Sequence, residues 1–542
     1  ITSYYQTHLL VASQDSIRLL NTNTLKQKSI CGIEDMFQIN TLFYDHKREV
    51  VWIGTSTDGL FYLGMKKKTL LPFSNFPKQP IAVITESSDS TLLVGIDGQG
   101  VWELDKDKKT VLNILKEDID NPFSLRGDGV YDIFCDGQQR VWVTTYTGGL
   151  SFFDWKSPLI NQITHQVNNP NSLGNDNVNK ILEDSKGDIW FATNNGISRW
   201  RVATNEWDTY YQNKQEQAQV FLALCEDDEG NIWAGSFSSG FYVLDRNTGK
   251  ELVHYPRNTS ELKSDGKFIM NIYKDSEGDI WIGGIQDVIC YLTKEKRFHT
   301  YGAQPMRTFM EFSPGKMLLA CTYSVLLLDK ETGKITFLPE CLAQDILVMG
   351  DDIWVATSGD GVLHYNYTTR ETHKVTVESG LPSNYVNSVM YDNGYLWLGT
   401  ENGLCRYNPA DSTVHAYYST LALSSASFNV NASCKLRNGE LMWGTNNGAV
   451  MFNPDKLYHT QLNGEIYFQN ITISGSSIRE NQDLLRGIPV NKQTDISFKY
   501  DQNTLTLEVL PIGVSSKEIK FSWKMEGLDT EWSHPSNQQI IT

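Results

Sequence analysis

The chain has 542 residues, 40% hydrophobic and 20% charged, with a formal net charge of −17, a pI near 5.1 and a mean hydropathy of −0.36. That length allows several domains and an ample core, and no run of apolar residues is long enough to suggest a membrane span. The acidity argues against a nucleic-acid partner, because phosphate contacts need clustered Lys and Arg.

Taken in chain order, one phrase keeps returning. "THLLVASQDSIRLLN" begins at residue 7, "REVVWIGTSTDGLFYL" at 48, "STLLVGIDGQGVWELD" at 90 and "GQQRVWVTTYTGGLSFFD" at 137. The fullest copies follow: "EDSKGDIWFATNNGISRW" from 183, "CEDDEGNIWAGSFSSGFYVLD" from 225 and "YKDSEGDIWIGGIQDVICYL" from 273. "GKMLLACTYSVLLLD" from 315, "GDDIWVATSGDGVLHYN" from 350, "DNGYLWLGTENGLCRYN" from 392 and "RNGELMWGTNNGAVMFN" from 437 complete eleven copies. Marked by the Trp or its Leu substitute, they recur every 36 to 49 residues. A period in this range means a solenoid, a propeller or an array.

Within a unit the apolar positions alternate, polar turns end in Gly, and no useful length has helical period. Four short strands per unit describe a β-propeller blade. In one copy, 178–184 reads as the innermost strand, Asp184 and Gly187 as a tight turn, 188–193 as the second strand, 194–196 as the next turn, then 197–202 and 207–212. The Asp carboxylate can accept backbone N–H bonds, the Gly takes positive φ, and the Trp fills the wedge between blades. Eight of the fourteen tryptophans are assigned to that one repeat position, so tryptophan richness is no sign of a sugar site here.

After "MFNPDKL" (451–457) the repeat stops, and long alternating runs suggest a β-sandwich that begins but is not closed by Thr542. Seven copies counted back from Trp443 reach Trp190. The expected organisation is therefore all-β: a partial N-terminal propeller of about four blades (1–171), a seven-bladed propeller (172–457) and a truncated sandwich (458–542).

Nothing in the chain spells out catalysis or a metal. The eight cysteines show no C-x-x-C and read as buried thiols, and the ten histidines show no H-x-x-x-H or H-E-x-x-H. The D-x-x-G-x-x-W phrase invites comparison with the Asp-box of sialidases, but its Asp-to-Gly spacing is one residue longer. A glycosidase needs two carboxylates across one pocket and a lyase a His-centred acid–base site; neither is specifically marked. No cofactor is expected.

In a propeller the second-to-third-strand turns share one face with the links that enter the inner strands. Their middle residues can vary without harming the blade, which makes Tyr146, Asn194, Phe237, Gln286, Tyr323, Asp360, Glu401 and Asn446 the candidate ligand-binding residues. Carboxamides, carboxylates and aromatics are the groups that bind sugars, although Asn and Asp are also ordinary turn residues. Arg307, ahead of the inner strand "TFMEF" and near the ring axis, is a further candidate that could meet a uronic acid carboxylate.

The repeat D-x-x-G-x-[IL]-W-[IV]-G-T-x-x-G-[IL], with N-P-x-S-L ahead of it at 121–125 and 169–173, resembles the regulator-propeller repeat. "FSWKMEGLDTEWSHP" (521–535) is similar to the core of the Y_Y_Y domain. Together they resemble the periplasmic sensor region of hybrid two-component systems from gut Bacteroidetes. The resemblance implies two seven-bladed propellers, the first incomplete here, followed by the Y_Y_Y sandwich. It also implies a homodimeric, membrane-anchored protein whose periplasmic part binds an oligosaccharide near the meeting of propellers and sandwich, and whose kinase lies in a further C-terminal part. The outcome implied is control of glycan-utilisation genes; a propeller enzyme acting on a polysaccharide and a protein-binding scaffold are the alternatives.

Overall fold

The computed structural model describes all residues except 14–15, 33–37, 122–123, 138–139, 155–159, 213–219, 257–267, 285–286, 303–304, 418–426, 458–464, 481–484, 486, 494, 501 and 513–518. Contacts divide the chain into two compact units, Ile1–Ser157 and Pro158–Thr542.

The first unit holds four antiparallel sheets in sequence order. Their first strands are Thr2–Tyr5, Ile39–Asp45, Ile81–Glu86 and Val130–Cys135. In the second unit, seven four-stranded antiparallel sheets follow one another among the described residues. Their inner strands are Val178–Glu183, Phe221–Glu226, Ile269–Lys274, Met306–Ser313, Ala343–Met349, Val386–Asp392 and Phe428–Lys435. Each inner strand packs beside the next, and the last packs beside the first. We number these sheets one to seven.

The ring closes by strand exchange. The outer strand of sheet seven is Asn161–Ile163, which pairs with Gly448–Phe452 nearly three hundred residues later. Residues 160–171, placed with the first domain from sequence, therefore fold with the ring, because its final sheet takes their strand as its fourth. Gly448 makes the join possible: at φ 90°, an added Cβ would lie 2.1 Å from Ile163 O.

Four of the blades are each held by an Asp and a Trp of their own. Asp184 is fully buried and accepts from the backbone N–H of Lys186 (2.8 Å) and Asp188 (3.1 Å) and from Trp190 Nε1 (2.9 Å). The same carboxylate-to-indole bond joins Asp136 to Trp142, Asp227 to Trp233 and Asp275 to Trp281. Cations lie over several of these rings, Arg140 over Trp142, Arg199 over Trp190 and Lys330 over Trp281. Trp443 departs from this scheme. Its sheet has Leu436 where those four have Asp, Met442 fills the repeat position, and Trp443 lies one residue later, donating to Ser388 Oγ of sheet six at 3.0 Å. The count of eight tryptophans at one position is thus corrected to seven.

Neighbouring blades are tied at the opposite turns. Ser185 N and Oγ donate to Glu226, and Ser276 N and Oγ to Glu311. Arg437 N donates to Glu183, carrying the link across the closure. The N-P-x-S-L segment at 169–173 is a clip, with Ser172 Oγ donating to Asn169 O and Leu173 fully buried. All eight cysteines are free, and burial pushes the Cys225 thiol up to about 12.

After Leu457 the described strands form a single sheet in the order Ser476–Ser477, Glu465–Ile473, Leu505–Ile512, Ile540–Ile541. The 521–535 segment, similar in sequence to the Y_Y_Y core, contributes only the Phe521–Ser536 bridge.

Candidate functional site

In five of the seven ring sheets the turn between second and third strands is built around a buried hydroxyl, and Gly284 and Cys321 hold that position in sheets three and four. Thr193 Oγ1 donates to Gly196 O and accepts from Asn195 N; Thr357 does the same with Gly361 O (2.7 Å) and Asp360 N (3.1 Å). Thr357→Val, at a fully buried side chain, takes the acceptor from the Asp360 amide and leaves the Gly361 carbonyl only the Thr357 N–H. It is expected to cost about 2 kcal/mol, read as a lower urea midpoint with faster exchange of the Asp360 amide.

The residue after this position leans over the start of its own inner strand. In ring sheet one, Asn194 N donates to Asn177 O (3.2 Å), and in sheet two Phe237 N donates to Val220 O (2.9 Å). Thr322 to Pro305, Ser358 to Leu342, Glu401 to Tyr385 and Asn446 to Ser427 repeat the bond in sheets four to seven. The acceptor is always the residue immediately ahead of the inner strand.

The inner strands start with a second regularity. Every one of the seven shows a register shift directly after its first residue. Such bulges re-aim the side chain at the irregular position. The first residue is buried and the second half-buried in all seven strands. The second positions hold Asn179, Leu222, Met270, Arg307, Gln344, Asn387 and Asn429. Three of them reach sideways: Asn387 Nδ2 donates to Phe428 O, Asn429 Nδ2 to Val178 O and Asn179 Nδ2 to Phe221 O, each in the following sheet. Asn179 also donates to Asn194 Oδ1 (2.9 Å), so second-position and turn residues adjoin. Together they form a mouth at the strand-entry end of the ring.

The floor of this mouth is a polar cross-link over the axis. Asn431, in the bulge of the seventh inner strand at φ 51°, accepts from Lys180 Nζ at its carbonyl (3.0 Å) and at Oδ1 (2.9 Å). Its Nδ2 donates to Thr308 Oγ1 of sheet four (2.9 Å), where Asn271 Nδ2 of sheet three also donates. Asp345 stands in the same tier, its two oxygens accepting from Ile346 N and Val389 N, both at 3.0 Å. Burial pushes its carboxyl up to about 6, against these bonds and the Lys180 charge. Burial pulls the Lys180 ammonium below its ordinary value, and the Asp345 charge opposes that shift.

The candidate residues fall into distinct settings. Asn194, Phe237, Glu401 and Asn446 occupy the leaning position of their turns, and Arg307 is half-buried at the second position of its strand. Tyr323 is exposed, one residue past the leaning Thr322, and Asp360 is turned toward the outer strand, where it pairs with Lys374 (3.2 Å). Tyr146 has the leaning position in the first unit, its ring against Tyr131 with centroids 3.9 Å apart. Gln286 lies outside the described residues. Sequence reading passed over Asn179, Asn387 and Asn429; the Asn that follows the first apolar residue in "VNK", "VNS" and "FNV" is the signal that would have found them.

One acidic trio stands apart. Asp275, Glu277 and Asp279 bring carboxylate oxygens within 4.8 Å of one another, and Lys330 Nζ meets them at 2.6, 2.6 and 2.8 Å. Burial lowers the Lys330 pKa and the carboxylates more than offset it, so the group is raised overall and its ammonium supplies the cation there.

The two-component regulator propeller family matches residues 172–195, 215–238, 263–286 and 380–402. Histidine kinase P4 of Formosa agariphila is 26% identical over 342 residues, covering 57% of this chain and 24% of that protein, so the chain spans about a quarter of its relative. Among solved structures, the extracellular domain of a hybrid two-component system from B. thetaiotaomicron overlays at a TM-score of 0.71 and 20% identity, covering 99% of this chain and 72% of that one. A second such extracellular domain from B. thetaiotaomicron gives a TM-score of 0.49 at 19% identity, covering 98% and 75%. This chain carries two-component regulator propeller repeats on a fold shared with the extracellular domain of a hybrid two-component system.

Proposed function

We propose that this chain is a non-catalytic sensing ectodomain of a hybrid two-component system, on the periplasmic side of an inner membrane, and that it binds an oligosaccharide at the mouth of the seven-sheet ring. The observation that carries this reading is the mouth itself. Carboxamides of Asn179, Asn387 and Asn429 line one arc, with Asn194, Glu401 and Asn446 leaning above them. On another arc, Phe237, 47% exposed, meets Phe268 with ring centroids 4.8 Å apart. A polar arc facing an aromatic one suits a sugar, whose hydroxyls and C–H faces differ in the same way. In the intact regulator, a homodimer anchored in the membrane, occupancy would be passed inward to control glycan-utilisation genes. Among the described residues no helix is long and apolar enough to cross a membrane.

Isothermal titration against a panel of defined plant and host oligosaccharides tests the reading. The expected result is saturable binding of one class with the sugar recovered unchanged. Phe237→Ala should weaken it about 3- to 10-fold without moving the thermal midpoint. Binding with product formation would transfer the case to a propeller enzyme, and no binding by any sugar would end the proposal.

A further inference from the structure

We infer that the sugar bound at this mouth is acidic, with a carboxylate or sulfate seated on the Arg307 guanidinium. This rests on the reading of the mouth as an oligosaccharide site and narrows it to a chemical class.

The first ground is singularity. Arg307 is the one charged side chain among the seven second positions, with Met270 and Gln344 at the same position in the sheets beside it. The second is its missing partner. Five half-buried or buried arginines elsewhere hold a carboxylate: Arg48 with Asp107, Arg140 with Asp136, Arg199 with Asp188, Arg201 with Asp208 and Arg246 with Glu226. Arg307 has no carboxylate partner among the described residues, in a chain whose net charge is −17. A guanidinium taken partly out of water is compensated best by an anion that accepts its fork of N–H donors.

The third ground is the charge beneath. Lys180 brings an ammonium to the floor, and among the described residues its hydrogen bonds go to neutral oxygens of Asn431. The floor's carboxylate, Asp345, has both oxygens already turned to backbone N–H groups. Cations thus outnumber acids in these two tiers, and a low-dielectric concavity concentrates the resulting field. Met270 on the third sheet and the Phe237–Phe268 pair, which joins the second sheet to the entry of the third, leave an apolar wall for the sugar ring, while Gln344 and Ser358 supply polar groups on the fifth sheet. Glu401 carries negative charge on the sixth sheet, two sheets away from Arg307, so charge around the rim is uneven and orients an anionic ligand.

The test uses the whole chain and its Arg307→Gln and Arg307→Lys variants on an array of uronate-bearing, sulfated and neutral oligosaccharides matched in length, followed by titration of the tightest binder in rising NaCl. Expected are hits confined to the uronate or sulfated members, affinity that falls with salt, a loss of roughly 10- to 100-fold in Arg307→Gln and partial retention in Arg307→Lys. Which charged arm binds identifies the anion. An unchanged thermal midpoint shows that Arg307→Gln folds. A tightest binder that is neutral, or a charged sugar held equally well by Arg307→Gln, overturns the inference while leaving the sugar site standing. Absence of binding across every arm overturns both.

Discussion

The Asp184→Ala variant is expected to lose about 4 kcal/mol of unfolding free energy, against less than about 1 kcal/mol for its neighbour Ser185→Ala. The difference follows from what each side chain serves. Asp184 is buried and its two oxygens take three donors, the amides of Lys186 and Asp188 and the indole of Trp190. Alanine leaves the buried indole and two part-buried amides without that acceptor, at about 1–3 kcal/mol for each group that water cannot serve. Ser185 instead makes an exposed link to Glu226. Asp184→Asn keeps one good acceptor and should fall between the two. Urea unfolding followed by tryptophan fluorescence makes the comparison, because Trp190 reports on the bond being removed. Equal midpoints for Asp184→Ala and Ser185→Ala would mean that the carboxylate is not what holds the turn.

This prediction could be approached from sequence alone because several blades make the same local demand. A turn that needs a carboxylate and a wedge that needs a tryptophan write themselves at a fixed period, and eleven copies make the pattern legible. Where a copy meets the demand differently, the reading slips. Trp443 looked like another repeat tryptophan, yet Leu436 offers no carboxylate and the indole moves to the next residue and to Ser388. The turn face was legible in kind but not to the residue: a one-residue difference separates the leaning Thr322 from the more conspicuous Tyr323.

The floor of the mouth was not legible for a different reason. Lys180 and Asn431 are 251 residues apart, and Asn431 and Thr308 are 123 apart; only ring closure brings them together. No short-range pattern encodes such a meeting. Nor does periodicity announce the strand at Asn161–Ile163, whose partner lies at the far end of the ring. Arg307 was found early because its place at the entry of an inner strand depends on the repeat, whereas its lack of a carboxylate among the described residues depends on the fold.

The floor also sets an expectation for pH. Asp345 has its carboxyl pushed from an ordinary 3.8 up to about 6, chiefly by burial. A carboxyl that binds its proton more tightly when folded contributes stability below its unfolded pKa, and that contribution is lost as pH rises through about 6. Asp352 and Asp245 work the other way. Asn366 for the one and Thr248 for the other hold the carboxylate below its ordinary range, so their stability is present above that range and lost as pH falls. The whole-protein curve mixes both signs, so the comparison must be between wild type and Asp345→Asn. The carboxamide can accept only one of the two amides from Ile346 and Val389 and turns its NH₂ toward the other, which makes the variant less stable at pH 4. Between pH 4 and pH 7 the gap should then narrow, by as much as about 3 kcal/mol, because only the wild type must ionise a buried group. Most of the change should fall between pH 4 and about 6. Urea midpoints at pH 4, 5, 6 and 7 measure it. Parallel curves for the two proteins would show that Asp345 ionises as freely in the ring as in water, and that the tier beneath the mouth is wetter than its burial implies.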